Sequence, residues 1–191
     1  NYNIGFQIIM LVKDNKNIDF GYKIVKKKDK QNLVNSVFNS VADKYDLMND
    51  ITSLGIHREW KNNLINWMAP QKNQKLVDIA GGTGDLAIKF RKKVGESGKV
   101  ILSDINGSML NEGRKNLLNH GIIDVDFVQA NAESLPFEDN TFDCVSIAFG
   151  LRNVTNKDVA LQQMYRVLKK GGTLLILEFS KVENEMLKKI Y

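Results

Sequence analysis

The sequence predicts an α/β protein built on a doubly wound parallel sheet, with a helical extension ahead of it. Three observations carry this. From residue 75 onward, short apolar runs alternate with segments of helical periodicity. The first run ends in the glycine-rich stretch Asp78-Ile79-Ala80-Gly81-Gly82-Thr83-Gly84-Asp85. The second run ends in an acid, Asp104, twenty residues after Gly84. Strand–helix alternation calls for parallel pairing with helices on both faces, and right-handed crossovers then wind the sheet in two directions. A chain of 191 residues has room for one such domain.

Leu33, Val34, Val37, Phe38, Val41, Ala42 and Tyr45 recur at helical spacing and predict an amphipathic helix over 31–46. A second helix over 57–68 places Trp60, Leu64, Ile65 and Met68 on one face, and Pro70 closes it. Strands are expected at 75–80, 99–103, 125–129, 142–148 and 173–179, with helices at 84–93, 107–119 and 157–169. The last helix is expected to end on Lys169-Lys170 and Gly171-Gly172, where cations meet the negative helix end and glycines accept positive φ. Residues 1–30, with Lys26-Lys27-Lys28-Asp29-Lys30, read as a solvated, flexible lead-in. The folded domain then runs over 31–191, with helices in 31–70 and the core in 71–191. The apolar stretch at 4–12 has no basic residue before it and no small-residue cleavage site after it, so it makes a poor signal peptide. The helical pattern begun at 182–191 stops short, as in a partial sequence. A fifth strand left at the sheet edge would then make the chain self-associate.

The charge balance, 27 basic against 22 acidic residues, suits an anionic membrane surface or a nucleic acid but requires neither. A single cysteine, Cys144, forms no internal disulfide and points to a reducing compartment. With His57 and His120 far apart, no metal site is expected. No apolar run approaches the roughly 20 residues needed to span a bilayer.

In a doubly wound sheet the ligand lies beyond the carboxyl ends of the strands. That directs attention to residues 80–85, 104–108, 130–133 and 149–153, all rich in Gly, Asp, Asn or Arg. Glycines let the backbone turn tightly and approach a ligand closely. A carboxylate at Asp104 can accept both hydroxyls of a ribose, so an adenosine-bearing ligand is indicated. Gly82-Thr83-Gly84-Asp85-Leu86-Ala87 satisfies the loose dinucleotide pattern. Tyr165 and Lys169 mimic the Tyr-x-x-x-Lys pair of short-chain dehydrogenases, although Tyr165 reads as a packing residue. Asp78 and Asp85 flank the loop and would repel a pyrophosphate, whereas a sulfonium amino acid tolerates them. The balance favours S-adenosylmethionine over NAD.

The glycine stretch, followed by Ser103-Asp104-Ile105-Asn106-Gly107-Ser108-Met109-Leu110, resembles the first two cofactor motifs of class I methyltransferases. Asn131-Ala132-Glu133-Ser134-Leu135-Pro136-Phe137 resembles their third. Val167-Leu168-Lys169-Lys170-Gly171-Gly172 resembles the motif before their fifth strand, with Lys170 where proline is usual. Two further stretches narrow the likeness. Phe38-Asn39-Ser40-Val41-Ala42-Asp43-Lys44-Tyr45-Asp46-Leu47-Met48-Asn49-Asp50, running on to Gly55-Ile56-His57-Arg58-Glu59-Trp60-Lys61, and Phe149-Gly150-Leu151-Arg152-Asn153-Val154, resemble the signatures of the UbiE-type ubiquinone/menaquinone C-methyltransferases. The likeness runs from about residue 20 to the last residue; residues 1–9 fall outside it, and Met10 is a candidate natural start.

The resemblance implies a Rossmann-like class I methyltransferase sheet whose last two strands are missing from this sequence. It implies S-adenosylmethionine-dependent methylation of a ring carbon of polyprenylated benzoquinols, demethylmenaquinols or both. The cofactor-binding set it implies is Asp78, Gly81, Gly82, Thr83, Gly84, Asp104, Ile105, Met109, Asn131, Ala132 and Ala148. Asp104 takes the ribose in this reading, the Asn131-Ala132 turn borders the adenine, and Ala148 stands where many members carry serine. A quinol becomes a carbon nucleophile when a ring hydroxyl loses its proton, so a group that steadies the phenolate is wanted. Arg152 and Asn153 after the fourth strand are the candidates; a surface ion pair of Arg152 with Asp46 or Asp50 is the competing reading. Phe38, Tyr45 and Met48, with Trp60 behind them, form either a lid over the ring, with Tyr45 the catalytic candidate, or plain core. His57 is a weaker candidate base, and His120 reads as structural. The implied partners are a membrane-soluble polyprenyl quinol, an anionic membrane surface met by the basic lead-in, a quinone-biosynthesis complex and a second copy, with no nucleic acid. The implied location is the cytoplasm or the inner face of a membrane, on the matrix side in a eukaryote. The alternatives are an NAD-linked oxidoreductase and a non-catalytic S-adenosylmethionine-binding partner in a biosynthetic complex.

Overall fold

The computed structural model describes residues 56–178, two short strands before them, and the helical positions Lys30, Val34 and Ser36. The rest of the helix expected over 31–46, with Tyr45, Asp46 and Asp50, lies outside the described residues, as do residues 179–191. The lead-in read as flexible contains a hairpin: β1 (Asn17–Phe20) pairs antiparallel with β2 (Lys23–Lys26). The signal was the alternation in Asn17–Phe20 and the apolar pair Ile24-Val25, separated by Gly21-Tyr22. The lysine run that follows masked it.

A helix α1 (Ile56–Met68) precedes the sheet and packs against the sheet's last strand and the following helix. The sheet comprises β3 (Lys75–Ile79), β4 (Lys99–Asp104), β5 (Asp126–Gln129), β6 (Phe142–Ala148) and β7 (Leu168–Leu177). Helices α2 (Asp85–Val94), α3 (Gly107–Asn119) and α4 (Lys157–Val167) alternate with the strands. The order is β5-β4-β3-β6-β7, and every pair is parallel. The chain therefore steps outward from β3 to β5, then returns to the other side of β3 at β6. That reversal leaves a crevice at the carboxyl ends of β3 and β6, where nothing bridges the two directions of winding.

Strand β3 is buried on both faces, so its adjacent residues serve opposite halves of the core. Leu76 packs with Leu102, Phe90, Leu117 and the Leu64, Ile65 and Met68 stripe of α1. Val77 and Ile79 pack with Phe142, Val145, Ile147, Met164 and Val167. Cys144 belongs to the first half; burial pushes its thiol up to about 11, and it behaves as a small apolar residue.

One boundary differs from the sequence expectation. Helix α4 ends at Val167, and β7 begins at Leu168 without a loop. Lys169 does not face a helix end; its ammonium pairs with Asp143 at 2.8 Å. Gly171 does take positive φ, +77°, but inside the strand, where the register with β6 slips between Phe142↔Leu168 and Cys144↔Thr173. The Lys-Lys-Gly-Gly run is thus an irregularity of the strand rather than a helix cap. Among the described residues β7 is an edge strand, and Ile176 on it is partly exposed.

Candidate cofactor cleft and the loops around it

All four loops singled out by strand order converge on one cleft of about 700 Å³, open mouth included. Strand β3 contributes Ile79, Ala80 and Gly82; β4 contributes Asp104, Ile105, Asn106 and Met109. The turn after β5 contributes Ala130 to Glu133, and the end of β6 contributes Ala148, Phe149 and Gly150, with Asn153 and Val154 beyond. Val34, ahead of the sheet, completes the wall.

Asp104 sits at the centre of this arrangement and is 8% exposed. Its Oδ2 accepts the Gly82 amide at 3.0 Å and its Oδ1 accepts the Asn106 amide at 2.8 Å. The glycine loop and the turn after β4 are therefore tied to one carboxylate. A carboxylate has about four acceptor positions, and with these amides and that of Ile105 engaged, acceptor capacity is left for a ligand hydroxyl. Burial holds this acid above the usual carboxylate range, partly offset by the amides of Asn106 and Gly82. Asn106 then caps α3 by accepting the Met109 amide at 3.1 Å, which points Met109 at the cleft.

The glycines divide by role. Gly82, at φ +56°, lines the cleft. Gly81, Thr83 and Gly84 do not line it; they allow close packing behind it. A Cβ on Gly81 would lie 2.6 Å from Asp78 Oδ2, and one on Gly84 2.6 Å from Leu117 Cδ1. Gly113 on α3 lies against the carbonyl of Gly82, which lets the helix rest on the loop. Nothing in the local pattern of α3 marked that glycine. Ala80 and Phe149, both lining the cleft, hold φ of +52° and +56°. Non-glycine residues there carry roughly 1–3 kcal/mol of strain each. The reason is visible: a Cβ on Gly150 would lie 2.6 Å from the Cβ of Ala80, so the ends of β3 and β6 are pressed together.

Asp78 does not face the cleft, contrary to the role read for it. It is 1% exposed, and Ser146, its register partner on β6, donates Oγ–H to its Oδ1 at 2.6 Å. Burial raises its pKa from 3.8 to about 7, against the lowering effect of that hydroxyl. The folded protein thus binds this proton more tightly than the unfolded chain. Its contribution to stability is full below about pH 4 and is lost as pH rises through about 7. Urea midpoints of Asp78→Asn and the parent protein are expected to diverge in favour of the variant between pH 5 and pH 8. A constant difference across that range would contradict the buried-proton reading. Asp85, the other flanking acid, pairs with Lys61 at 3.0 Å and approaches Lys89 at 3.9 Å. The repulsion of a pyrophosphate therefore does not come from these two acids. The carboxylates that do line the cleft are Asp104 and Glu133, and its described wall includes no lysine or arginine.

The turn after β5 is self-braced: Asn131 Oδ1 accepts the Glu133 amide at 2.9 Å, and Asn131 bridges to Ser134. Asn131 thus shapes the turn and Ala132 lines it. Glu133, unmarked by sequence reasoning, accepts the amides of Thr155 and Asn156 at 3.1 and 3.0 Å and so anchors the loop after β6. Asn153 faces the cleft, but Arg152 does not line it. The Arg152 guanidinium pairs with Glu178 and lies 5.8 Å from the Phe149 ring centroid, while Asp46 and Asp50 lie outside the described residues. Trp60 of α1 meets that ring at 6.2 Å. Tyr165, expected to pack, is 76% exposed; with Lys169 held by Asp143, the dehydrogenase-like pair forms no site. His57 lies in the first turn of α1, and His120 caps the end of α3 through the Asn116 carbonyl. Tyr45 lies outside the described residues.

The cleft suits an adenosyl sulfonium. It offers a bound carboxylate for a ribose, apolar walls from Ile79, Ile105, Met109 and Ala132, and net negative charge near where a cation would sit. Fold and cleft together define a class I S-adenosylmethionine-dependent methyltransferase. Solved structures with the same fold include the BH2331 protein of Bacillus halodurans, with a TM-score of 0.61 and 31% identity over 69% of this chain and 55% of that one. A SAM dependent methyltransferase from Aquifex aeolicus aligns with a TM-score of 0.60, at 24% identity over 65% of this chain and 66% of its own. The model of the ubiE/COQ5 methyltransferase family matches residues 24–191, and the chain belongs to that family. The ubiquinone/menaquinone biosynthesis C-methyltransferase UbiE of Haemophilus ducreyi is 58% identical over 93% of this chain and 69% of its own length. That of Pectobacterium atrosepticum is 57% identical over 95% and 73%. The oxidoreductase alternative is not favoured by these relatives.

Proposed function

We propose that this protein transfers a methyl group from S-adenosylmethionine to a ring carbon of a polyprenylated quinol, a demethylmenaquinol or a 2-polyprenyl-6-methoxy-1,4-benzoquinol. The observation that carries the reading is the cleft at the strand reversal, whose described wall carries Asp104 and Glu133 and no lysine or arginine, in a chain whose relatives are named for C-methylation in quinone biosynthesis. When bound, S-adenosylmethionine supplies an electrophilic methyl group on a sulfonium. Asp104 would take the ribose and the Asn131-Ala132 turn would border the adenine. Gly82, Ile105 and Met109 hold the remainder, with Ala148 offering a methyl where a hydroxyl would otherwise donate. Asn153, facing the cleft from the far side, donates to the ring oxygen as it becomes a phenolate. Arg152, its neighbour on the loop after β6, pairs with Glu178 and is assigned electrostatic support of that oxygen, or of a water acting as base, from outside the described cleft wall.

Calorimetric titration with S-adenosylmethionine, and with NADH as control, tests the cofactor. Micromolar binding, about −8 kcal/mol, with no NADH signal is expected. Transfer of labelled methyl to a reduced demethylmenaquinone then tests the acceptor. Binding without transfer to either quinol class would leave the non-catalytic partner as the better reading. Among the described residues no helix is long and apolar enough to cross a membrane. Access to a polyprenyl tail is assigned to peripheral docking by the basic lead-in, where each lysine near an anionic surface adds about 1 kcal/mol.

A further inference from the structure

The last lysine of that lead-in is not a surface residue. Lys30 is 4% exposed, and its Nζ donates to the carbonyls of Arg152 at 2.9 Å and Val154 at 3.3 Å. A buried ammonium is strongly unfavourable unless hydrogen bonds replace its water, and these two carbonyls supply such bonds. The same loop is gripped from the other side by Glu133, which accepts its Thr155 and Asn156 amides. A cation on carbonyls and an anion on amides leave the loop few alternative positions. Val34, one helical turn beyond Lys30, lines the cleft.

We propose that Lys30 is a positioning residue for methyl transfer: by holding the carbonyls of Arg152 and Val154 it sets the loop that carries Arg152 and Asn153. The inference rests on the function proposed above. Glu133 holds the loop from the sheet's own turn, and Lys30 holds it from 122 positions earlier in the chain.

The test is Lys30→Met, which keeps the stem and removes the ammonium, alongside Lys30→Arg, which keeps a cation. With a reduced demethylmenaquinone as acceptor, K30M is expected to lose about tenfold or more in kcat, the scale set by one lost charge-assisted hydrogen bond and a displaced donor. S-adenosylmethionine affinity should stay within about threefold, since Asp104 is untouched, and K30R should recover much of the loss. Amide exchange at Asn153 and Val154 should accelerate in K30M while β3 amides keep their rates. An unchanged kcat, a loss of cofactor affinity equal to the loss of kcat, or unchanged exchange in the loop would overturn the proposal. Should K30M fail to melt cooperatively, Lys30→Gln, a neutral donor, is read by the same exchange measurement, and wild-type rates there overturn it. A wild-type protein that methylates no quinol would defeat the proposed function instead; loop exchange needs no acceptor and still decides the role of Lys30.

Discussion

Asp104→Ala is expected to weaken S-adenosylmethionine binding by about two orders of magnitude, the loss of one to two charge-assisted hydrogen bonds of roughly 1.5–3 kcal/mol each. The carboxylate already accepts Gly82 at 3.0 Å and Asn106 at 2.8 Å, so its orientation is set before any ligand arrives. A ribose then meets acceptors that need no reorganisation. Alanine removes those acceptors and also orphans two amides that shape the glycine loop and the start of α3. Asp104→Asn should be intermediate in size and still poor, because one end of a carboxamide presents donors to an amide donor. Calorimetry on the three proteins reads this directly. An Asp104→Ala affinity within about threefold of the parent would place the ribose elsewhere in the cleft. Because burial raises this acid's pKa, binding should also weaken on acidification sooner than with an exposed aspartate.

Gly84→Ala is expected to remove about 2–5 kcal/mol of stability, a large part of the 5–15 kcal/mol typical of a domain. Two effects add. The residue holds φ +81°, where any L side chain is strained, and the new methyl would lie 2.6 Å from Leu117 Cδ1 and 3.2 Å from Leu102 Cδ2. Gly171 separates the two contributions. It holds a similar φ of +77° but has open space around it, so Gly171→Ala should lose only the backbone part, about 1 kcal/mol. Urea denaturation of both variants gives the comparison. Equal losses would mean that the packing of α3 on the glycine loop relaxes freely.

Much of the fold was legible because it is written in neighbours. The 142–148 and 107–119 elements match their expected bounds, since strand alternation and helix caps such as Asn106 are local signals. The failures have local causes too. The hairpin at β1 and β2 was hidden by the lysines after it, and Lys-Lys-Gly-Gly resembles a helix cap although the chain passes from α4 into β7 without one. The site was legible as loops rather than as contacts. Strand order alone places residues 80–85, 104–108, 130–133 and 149–153 at one sheet edge, and all four contribute to the cleft.

The sequence by itself determined the layers, the direction of the strands and the four loops that meet, because periodicity and turn chemistry act over a few residues. The tertiary structure decided which side chains face inward. Asp78 is spent on Ser146, 68 positions away, and Asp85 on Lys61. Arg152 turns to Glu178, and Lys30 leaves the solvent for carbonyls 122 and 124 positions along the chain. Those pairings follow from desolvation. A charge removed from water must take whatever partner the packed sheet brings within reach, and sequence spacing carries no record of that.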